Sequence, residues 1–410
     1  MSKKTLEIGL AGLGCVGTGL YEVLGKSRGL QVNIRRICVK DPYKSRPVAP
    51  QLLTYDINDL LNDPHIDVLV ELIDDSEAAF GMVSEALKRG KSVVTANKKM
   101  LADHLPELLE LQRQSGAALL YEGASCASIP VVRNLEEYFD NDLLVSIEAI
   151  VNGSTNYMLT LLEQQGLSFA DALALAQQRG FAESNPQLDL SGEDAANKLV
   201  ILLAHAFGRV VQRVQIPYAG ITALSERVWQ YARQQGGTIK LVAEARNLGN
   251  GVTACVWPTL VLPGHELARI RHEFNAVVTQ SSFADRQTFI GKGAGAYPTA
   301  SAVLSDLSAL TYGYRYEYKK MEQGAIPQFS TAAEVEVLVA WEHGEPDIKG
   351  LFGEISGEYR AGQAGYITGS LPLFLLADSS WQEGLSILRL PGELRALSTA
   401  ADVLVASLVA

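Results

Sequence analysis

The residues best suited to chemistry lie in one stretch of this 410-residue chain, between positions 180 and 203. Before the chain turns apolar, this stretch contains four acids and one lysine: Glu183, Asp189, Glu193, Asp194 and Lys198. Carboxylates can hold an ammonium group, and a lysine can donate a proton to a reacting oxygen. A neighbouring carboxylate such as Asp194 would keep Lys198 oriented and charged. These residue types suit a polar pocket for an amino-acid substrate.

The same spacing also has a purely structural interpretation. Ser191 and Asp194 match S-x-x-D, close to a capping box, which favours a helix start near Gly192. Asp194 and Lys198 are four residues apart and could pair on the surface, for about 0.3–0.5 kcal/mol. However, the helix that follows, NKLVILLAHAF, is apolar almost all round, which is typical of a buried helix. A surface pair and a buried pocket both remain open at this point.

A glycine-rich turn near the start of the chain indicates a nucleotide site. Between a predicted strand and a predicted helix lies a GxGxxG pattern made of Gly12, Leu13, Gly14, Cys15, Val16 and Gly17. The first glycine permits a tight turn, the second lets the backbone approach a pyrophosphate, and the third lets helix and strand pack closely. The phosphates would then meet the positive end of the helix. The pattern predicts dinucleotide binding, with a structural glycine turn as the alternative.

Cofactor choice is expected at the end of the second strand, in VKDPYKSR. An acid at this position binds a ribose hydroxyl, whereas a base accommodates a 2′-phosphate. Both kinds occur here, since Asp41 is accompanied by Lys40, Lys44 and Arg46. The excess of bases, Lys40 and Arg46 among them, favours NADP, with NAD also accepted. A solvated loop without a cofactor contact is the alternative.

Alternating strands and helices predict the fold. Strand-like runs separated by helical stretches occur at 5–10, 32–39, 67–73, 92–95 and 117–121. This alternation is typical of an α/β fold with a Rossmann-type, doubly wound parallel sheet. An α+β substrate-binding and dimerisation domain and a small C-terminal α/β extension are expected to follow. The predicted domains are a dinucleotide-binding domain at 1–132, rejoined by 293–330, a catalytic domain at 133–292 and an extension at 331–410.

Composition excludes several classes of protein. The net charge of −11 argues against nucleic acid as a partner, because phosphates would be repelled. No apolar run is long enough to span a membrane. The four cysteines are widely spaced and form no CxxC pair, so neither a disulfide framework nor a zinc site is predicted. A reducing cytoplasm is the expected compartment.

Several motifs in a fixed order resemble one enzyme family. From residue 6 to about residue 310 the chain contains GLAGLGCVGTG, VELI, GKSVVTANKKMLA, YEGASCASIP, IVNGSTNYML, E-x-N-P-x-x-D-L-x-G-x-D-A-A-x-K and GAGAYPTASAVLSDL. Together they are similar to homoserine dehydrogenase, which reduces L-aspartate 4-semialdehyde to L-homoserine. The resemblance implies NADP or NAD as cofactor, a small-molecule substrate, a homodimer, and a step in threonine, methionine and isoleucine biosynthesis.

The resemblance implies roles for individual residues. Lys198 resembles the family's proton donor, Asp194 its partner, and Lys98 the lysine that reaches both substrate and nicotinamide. Without the resemblance, Lys98 would be an ordinary lysine at a helix start. The substrate-binding residues that it implies are Glu183, Asp189, Ser154 and Tyr157. A helix cap and a core aromatic are the alternatives for the last two.

The resemblance also implies cofactor and metal contacts. In addition to the glycine loop, residues beside the cofactor are expected to be Thr95, Asn97, Lys98, Gly180, Gly293 and Gly295. A structural sodium ion is expected on the side chain of Glu122 and on the main-chain carbonyls of Ser125, Ala127 and Ile129. The chain departs from the family pattern at three places, namely Asp74-Asp75, the SCAS turn at 125–128, and Asn185.

Three alternatives accompany this interpretation. A thiol-dependent semialdehyde dehydrogenase would need an activated cysteine, for which Cys126 is the candidate and a buried apolar role the competing explanation. A non-catalytic NAD(P)-binding sensor would need the glycine loop alone. In the extension, DIKGLFGEI after EVEVLVAWE resembles the start of an ACT domain, with a plain dimer-supporting segment as the alternative. Threonine feedback is left open.

Overall fold

The computed structural model describes residues 5–141, 143–322 and 326–397. The chain divides into two compact units. The first unit comprises Met1–Asp140, Val200–Val210 and Gly291–Glu322. The second unit comprises Asn141–Leu199, Val211–Ile290 and Gln323–Ala410.

The strands of the described residues are numbered in chain order. They are β1 Leu6–Ala11, β2 Val32–Cys38, β3 Leu53–Thr54, β4 Val68–Glu71, β5 Ser92–Thr95, β6 Leu119–Leu120, β7 Leu144–Ile150, β8 Thr238–Asn247, β9 Val252–Val261, β10 Phe274–Ser281, β11 Asp285–Lys292, β12 Ala333–Trp341, β13 Glu354–Ala361, β14 Ala364–Pro372, β15 Leu385–Arg389 and β16 Arg395–Ala396.

The helices are numbered in the same way. They are α1 Cys15–Lys26, α2 Asn58–Leu61, α3 Ser76–Lys88, α4 Lys98–Ser115, α5 Val131–Arg133, α6 Gly153–Gln165, α7 Phe169–Gln178, α8 Gln187–Leu190, α9 Glu193–Phe207, α10 Glu226–Gln234, α11 Ala296–Leu310, α12 Lys319–Glu322 and α13 Leu373–Ala377. Short 3-10 turns lie at Pro50–Leu52, Glu122–Ala124, Arg213–Gln215, Glu266–Arg269, Lys349–Leu351 and Ser379–Trp381, and a π turn at Asn134–Tyr138.

The first unit is built on a parallel sheet, which has six strands within the described residues. Their order is β3-β2-β1-β4-β5-β6, and every neighbouring pair is parallel. The central strands are almost entirely buried, as expected of a parallel sheet covered on both faces. The strand order reverses between β1 and β4, which creates a crevice at the carboxyl ends of these strands. The predicted Rossmann-type α/β fold is confirmed.

The second unit contains a mixed sheet. Within the described part of the chain its order is β11-β10-β7-β8-β9-β15-β12-β14-β13, with β16 paired to β12. Strands β7, β8, β9 and β10 pair in antiparallel fashion. Strand β15 joins β9 in parallel, with Arg389 opposite Thr259. The C-terminal strands therefore continue the mixed sheet of the second unit, and the ACT-like character of the extension stays a prediction.

Side-chain caps define where several helices begin. The carboxylate of Asp75 accepts the amide of Ala78 at 3.0 Å at the start of α3, which gives one of the two unusual acids after VELI a structural role. Asn97, Asn152 and Ser168 cap α4, α6 and α7 in the same way. Such caps satisfy backbone amides that the helix itself leaves without a partner. Two of them, Asn97 and Asn152, also take part in the polar clusters described below.

None of the helices in the three described ranges combines the length and the apolar character that a membrane span requires.

Candidate active site

The glycine loop of the first unit has the geometry of a phosphate cradle. Gly12 has a φ of 98°, and a Cβ there would lie 2.5 Å from the carbonyl oxygen of Leu72. A Cβ on Gly17 would lie 2.3 Å from the carbonyl oxygen of Gly12. No heavy atom lies within 4 Å of a Cβ built on Gly14. The first and third glycines are thus required by packing, while the second borders open space at the N-terminus of α1, where a pyrophosphate would bind.

A buried polar cluster lies at the carboxyl ends of β4 and β5. Glu71 is fully buried and accepts hydrogen bonds from the Thr95 hydroxyl and from the amide of Ile73, the latter at 2.7 Å. The side chain of Asn97 donates to the carbonyl of Ile73 at 3.1 Å and caps α4. Burial raises the pKa of Glu71 to about 7, although the bond from Thr95 opposes the rise. Thr95 and Asn97 are therefore held at the edge of the sheet where the glycine loop lies.

A second glycine-rich turn lies beside the first helix. Gly293 is buried, and Gly295 has a φ of 118° and precedes α11. A Cβ on Gly19 of α1 would lie 2.9 Å from the carbonyl oxygen of Ala296, so the two helices approach closely at the start of α11. The hydroxyl of Tyr297 donates to Glu22 of α1 at 2.6 Å. The predicted cofactor residues Gly293 and Gly295 thus lie near the glycine loop.

The loop after β2 is shaped by its own charged residues. The carboxylate of Asp41 accepts the amide of Tyr43 at 2.8 Å. The guanidinium of Arg46 donates to the carbonyls of Asp41 and Lys44 at 2.7 and 2.8 Å. Lys40 is exposed. The loop is therefore ordered around Arg46.

In the second unit, Lys198 and Asp194 form a buried ion pair. The Lys198 Nζ atom lies 2.9 Å from Asp194 Oδ2, and both side chains are less than a tenth exposed. The same ammonium donates to the carbonyl oxygen of Val151 at 2.6 Å. The alternative of a surface pair is therefore wrong, because the apolar helix α9 is buried along with the pair. Buried ion pairs contribute little net stability, since desolvation offsets their attraction.

Asn152 links the ion pair to a second acid. Its Nδ2 atom donates to Asp194 Oδ2 at 2.9 Å and to Asp189 Oδ1 at 2.7 Å. Asn152 is not among the site residues predicted from the sequence. An asparagine directly before a helix favours a helix cap, but nothing local in the motif IVNGSTNYML indicates a contact with residues about forty positions later.

The remaining substrate-site candidates occupy the same unit. The hydroxyl of Ser154 donates to the carbonyl of Phe181 at 2.6 Å, and the ring of Tyr157 lies 4.7 Å from that of Phe181. Tyr157 is buried, whereas Glu183 is exposed and Asp189 partly so. Ser154 and Tyr157 thus anchor the segment that carries Glu183. Gly180, at the end of α7 with a φ of 75°, starts this segment.

Lys98 belongs to the first unit. It is the first residue of α4 and is half-buried. The predicted site residues therefore fall into two groups. The first unit contains the glycine loop, Thr95, Asn97, Lys98, Gly293, Gly295, Lys40 and Arg46. The second unit contains the ion pair, Glu183, Asp189, Ser154, Tyr157 and Gly180.

Comparison with known proteins gives a consistent result. A model of the homoserine dehydrogenase NAD-binding domain matches residues 12–122, and a homoserine dehydrogenase model matches residues 130–308. The homoserine dehydrogenase of Bacillus subtilis (strain 168) is 34% identical over 321 residues, which cover 76% of this chain and 74% of that protein. The chain belongs to the homoserine dehydrogenase family.

Further relatives agree with this assignment. The homoserine dehydrogenase of Corynebacterium glutamicum is 39% identical over 313 residues, covering 73% of this chain and 70% of that protein. A crystal structure of a homoserine dehydrogenase from Thiobacillus denitrificans has a TM-score of 0.84 and 29% identity, covering 95% of this chain and 98% of that one. The protein is an NAD(P)-dependent oxidoreductase acting on CH-OH groups, and this excludes the alternative of a non-catalytic sensor.

The site that the homoserine dehydrogenase resemblance assigns to sodium contains oxygen donors. The carboxylate of Glu122 is buried and accepts the amides of Val132 and Arg133 at 2.8 and 2.9 Å. The carbonyl of Ile129 accepts the amide of Val131 at 2.8 Å, and Ala127 has a φ of 43°. Each of these oxygens keeps a second lone pair, and hard cations prefer oxygen ligands. The set is chemically compatible with sodium, which stays a prediction.

Among the described residues, no group of three or more histidine, cysteine, aspartate or glutamate side chains could hold a metal ion.

Proposed function

We propose that the protein catalyses the reversible, NAD(P)H-dependent reduction of L-aspartate 4-semialdehyde to L-homoserine, a step of threonine, methionine and isoleucine biosynthesis. The buried pair of Lys198 and Asp194 is the observation that carries the proposal. A hydrogen-bonded ammonium held inside a polar cluster is suited to protonating an oxygen, and has little value for stability. The relatives are named homoserine dehydrogenases, which supplies homoserine, and the resemblance supplies aspartate 4-semialdehyde as the other partner of the reaction.

Lys198 acts as the proton donor in this proposal. An ammonium has three N–H donors, and the contacts to Val151 and Asp194 use two of them. The third remains for the carbonyl oxygen of the substrate. When bound, the reduced nicotinamide supplies a hydride to the aldehyde carbon. Lys198 gives its proton to the oxygen as negative charge develops there, and Asp194 stabilises the lysine's charge until transfer.

Other residues bind and orient the substrate. Glu183 and Asp189 hold the substrate ammonium group through their carboxylates. Ser154 and Tyr157 shape the pocket wall by fixing the segment around Phe181. Lys98 assists electrostatically at the reacting oxygen, as the resemblance implies.

The cofactor binds to the glycine loop and to the residues grouped with it in the first unit. Lys40 and Arg46 favour NADP, and NAD is also accepted. Sodium is held by Glu122 and by the carbonyls of Ser125, Ala127 and Ile129. The resemblance further implies a homodimer, and the cysteine usage a cytoplasmic location.

The test is steady-state turnover of Lys198→Ala, followed by NADPH absorbance with aspartate 4-semialdehyde as substrate. We expect kcat to fall by at least about 100-fold, with the dissociation constant of NADPH unchanged. The control is Lys349→Ala, because Lys349 is exposed. Lys240→Ala is unsuitable, because Lys240 is buried in the same unit as Lys198. Unchanged turnover of Lys198→Ala would refute the assignment.

The alternative of a thiol mechanism, raised by Cys126, has its own test. Cys126 is completely buried, whereas a nucleophilic cysteine must be reached by its substrate. We expect Cys126→Ser to retain homoserine formation. The two reactions are distinguished by following NADPH absorbance without added phosphate and by identifying the product. Loss of activity in a folded Cys126→Ser variant would favour the thiol mechanism.

A further inference from the structure

Asn152 makes more contacts than a helix cap requires. Its Oδ1 atom accepts the amide of Thr155 at 2.8 Å and the Thr155 hydroxyl at 3.0 Å. Its Nδ2 atom donates to Asp189 and Asp194 at 2.7 and 2.9 Å. Asn152 is only 4% exposed, so these contacts are shielded from water and depend little on solvent.

The orientation of the amide follows from its partners. A backbone N–H can only donate, so the atom that faces Thr155 must be the carbonyl oxygen. Ionised carboxylates can only accept, so the NH2 group must face Asp189 and Asp194. Both ends of the side chain therefore specify the same orientation, and the amide cannot rotate without losing contacts on each side.

The contacts of Asn152 converge on the proton donor. Asp194 Oδ2 is the atom that lies 2.9 Å from Lys198 Nζ, and it is also the atom that accepts from Asn152. The neighbouring carbonyl of Val151 accepts the second N–H of Lys198. Two consecutive residues thus hold both members of the ion pair, and Asn152 adds Asp189 to the same cluster.

We propose that Asn152 is a positioning residue for the reaction, because it fixes Asp194, and through it the Lys198 ammonium, beside Asp189. This inference rests on the proposed function. A serine, threonine or aspartate would cap α6 as well as an asparagine does. Only asparagine combines the acceptor that the cap needs with an NH2 group that can bridge two carboxylates.

Two variants separate the cap from the bridge. Asn152→Asp keeps the shape and the capping oxygen, but replaces the donor by a third negative charge beside Asp189 and Asp194. Asn152→Ser keeps a capping hydroxyl without the added charge. Ser168→Ala, which removes the cap of α7 in the same unit, is the matched control for a lost cap.

The measurements are kcat, KM for aspartate 4-semialdehyde, the solvent deuterium isotope effect on kcat, the NADPH dissociation constant and the melting temperature. We expect kcat to fall about 10- to 100-fold in both Asn152 variants, because a misplaced proton donor acts on the transition state. The isotope effect should rise as proton transfer limits the rate. KM and NADPH binding should change less than about threefold, and Ser168→Ala should lower only the melting temperature.

Several results would overturn the inference. If kcat of Asn152→Ser and Asn152→Asp stays within about twofold of wild type, Asn152 is a cap alone. If KM rises at constant kcat, Asn152 acts through substrate binding by Asp189 and not through the donor. If Asn152→Asp does not fold, Asn152→Ser is judged by the same criteria. If that variant also does not fold, a structural role alone explains Asn152 and the inference is overturned.

Failure of this inference and failure of the proposed function give different results. If the wild type does not turn over aspartate 4-semialdehyde, the proposed function fails and this inference fails with it. If Lys198→Ala abolishes turnover while the Asn152 variants remain fully active, only the inference is overturned.

Discussion

Replacement of Glu71 by glutamine tests how burial changes the ionisation of an acid in the first unit. Glu71 lies at the carboxyl end of β4 and is fully buried. Burial raises its pKa from 4.5 to about 7, against the opposing hydrogen bonds from Thr95, Ile73 and Asn97. In the unfolded chain the same carboxyl ionises at its ordinary pKa. The native state must therefore either keep a proton that the unfolded state has lost, or bury a charge.

The sign and the size of the effect follow from this difference. Because the pKa of Glu71 is higher in the folded protein, its contribution is fully present below pH 4.5 and is lost as the pH rises to about 7. Each pKa unit corresponds to about 1.4 kcal/mol, so the full loss is about 3 kcal/mol. About 2 kcal/mol of it falls between about pH 5.5 and about pH 8.5. A glutamine does not ionise and does not show this loss.

The assay is urea unfolding of wild type and Glu71→Gln at the two pH values. We expect the variant's free energy of unfolding, relative to wild type, to rise by about 2 kcal/mol from the lower to the higher pH. All four tryptophans lie in the second unit, so their fluorescence reports on that unit. Far-UV circular dichroism reports on both units, and a transition absent from the fluorescence belongs to the first.

Glu107→Gln provides the control, because Glu107 is an exposed acid on α4 of the same unit. Its effect on the free energy of unfolding should not depend on pH over this range. If Glu71→Gln likewise shifts the free energy of unfolding equally at both pH values, Glu71 ionises as an ordinary acid and the burial argument is refuted.

Further predictions concern the cofactor loops. Gly14→Ala should melt at the wild-type temperature but bind NADPH at least about tenfold more weakly by fluorescence titration, because its Cβ would fill the open space of the cradle; a dissociation constant equal to wild type would contradict the cradle. Gly17→Ala should lower the melting temperature even without cofactor, since its Cβ meets the carbonyl of Gly12 at 2.3 Å, and an unchanged melting temperature would show that this turn relaxes. Arg46→Ala should reduce the NADPH-to-NADH ratio of kcat/KM by about tenfold, whereas an unchanged ratio would leave Arg46 as a loop-shaping residue only.

Local sequence patterns were sufficient to predict much of the structure of the first unit. The strands predicted at 32–39 and 92–95 correspond to Val32–Cys38 and Ser92–Thr95 in the structure. The glycine loop could be predicted from the sequence because its constraints act between residues close in sequence, as the contact between Gly12 and Gly17 illustrates. A helix start near Gly192 was predicted in the same way, and α9 begins at Glu193.

The sequence by itself also determined the family, because ordered motifs are spread over most of the chain. Only the tertiary structure decided whether Asp194 and Lys198 face water or are buried, since i,i+4 spacing is identical in both cases. It also revealed Asn152, whose partners Asp189 and Asp194 are 37 and 42 positions away. Burial and hydrogen bonding at that separation depend on how helices and strands pack. The pKa of Glu71 depends on the same packing, because desolvation by the surrounding chain is what raises it.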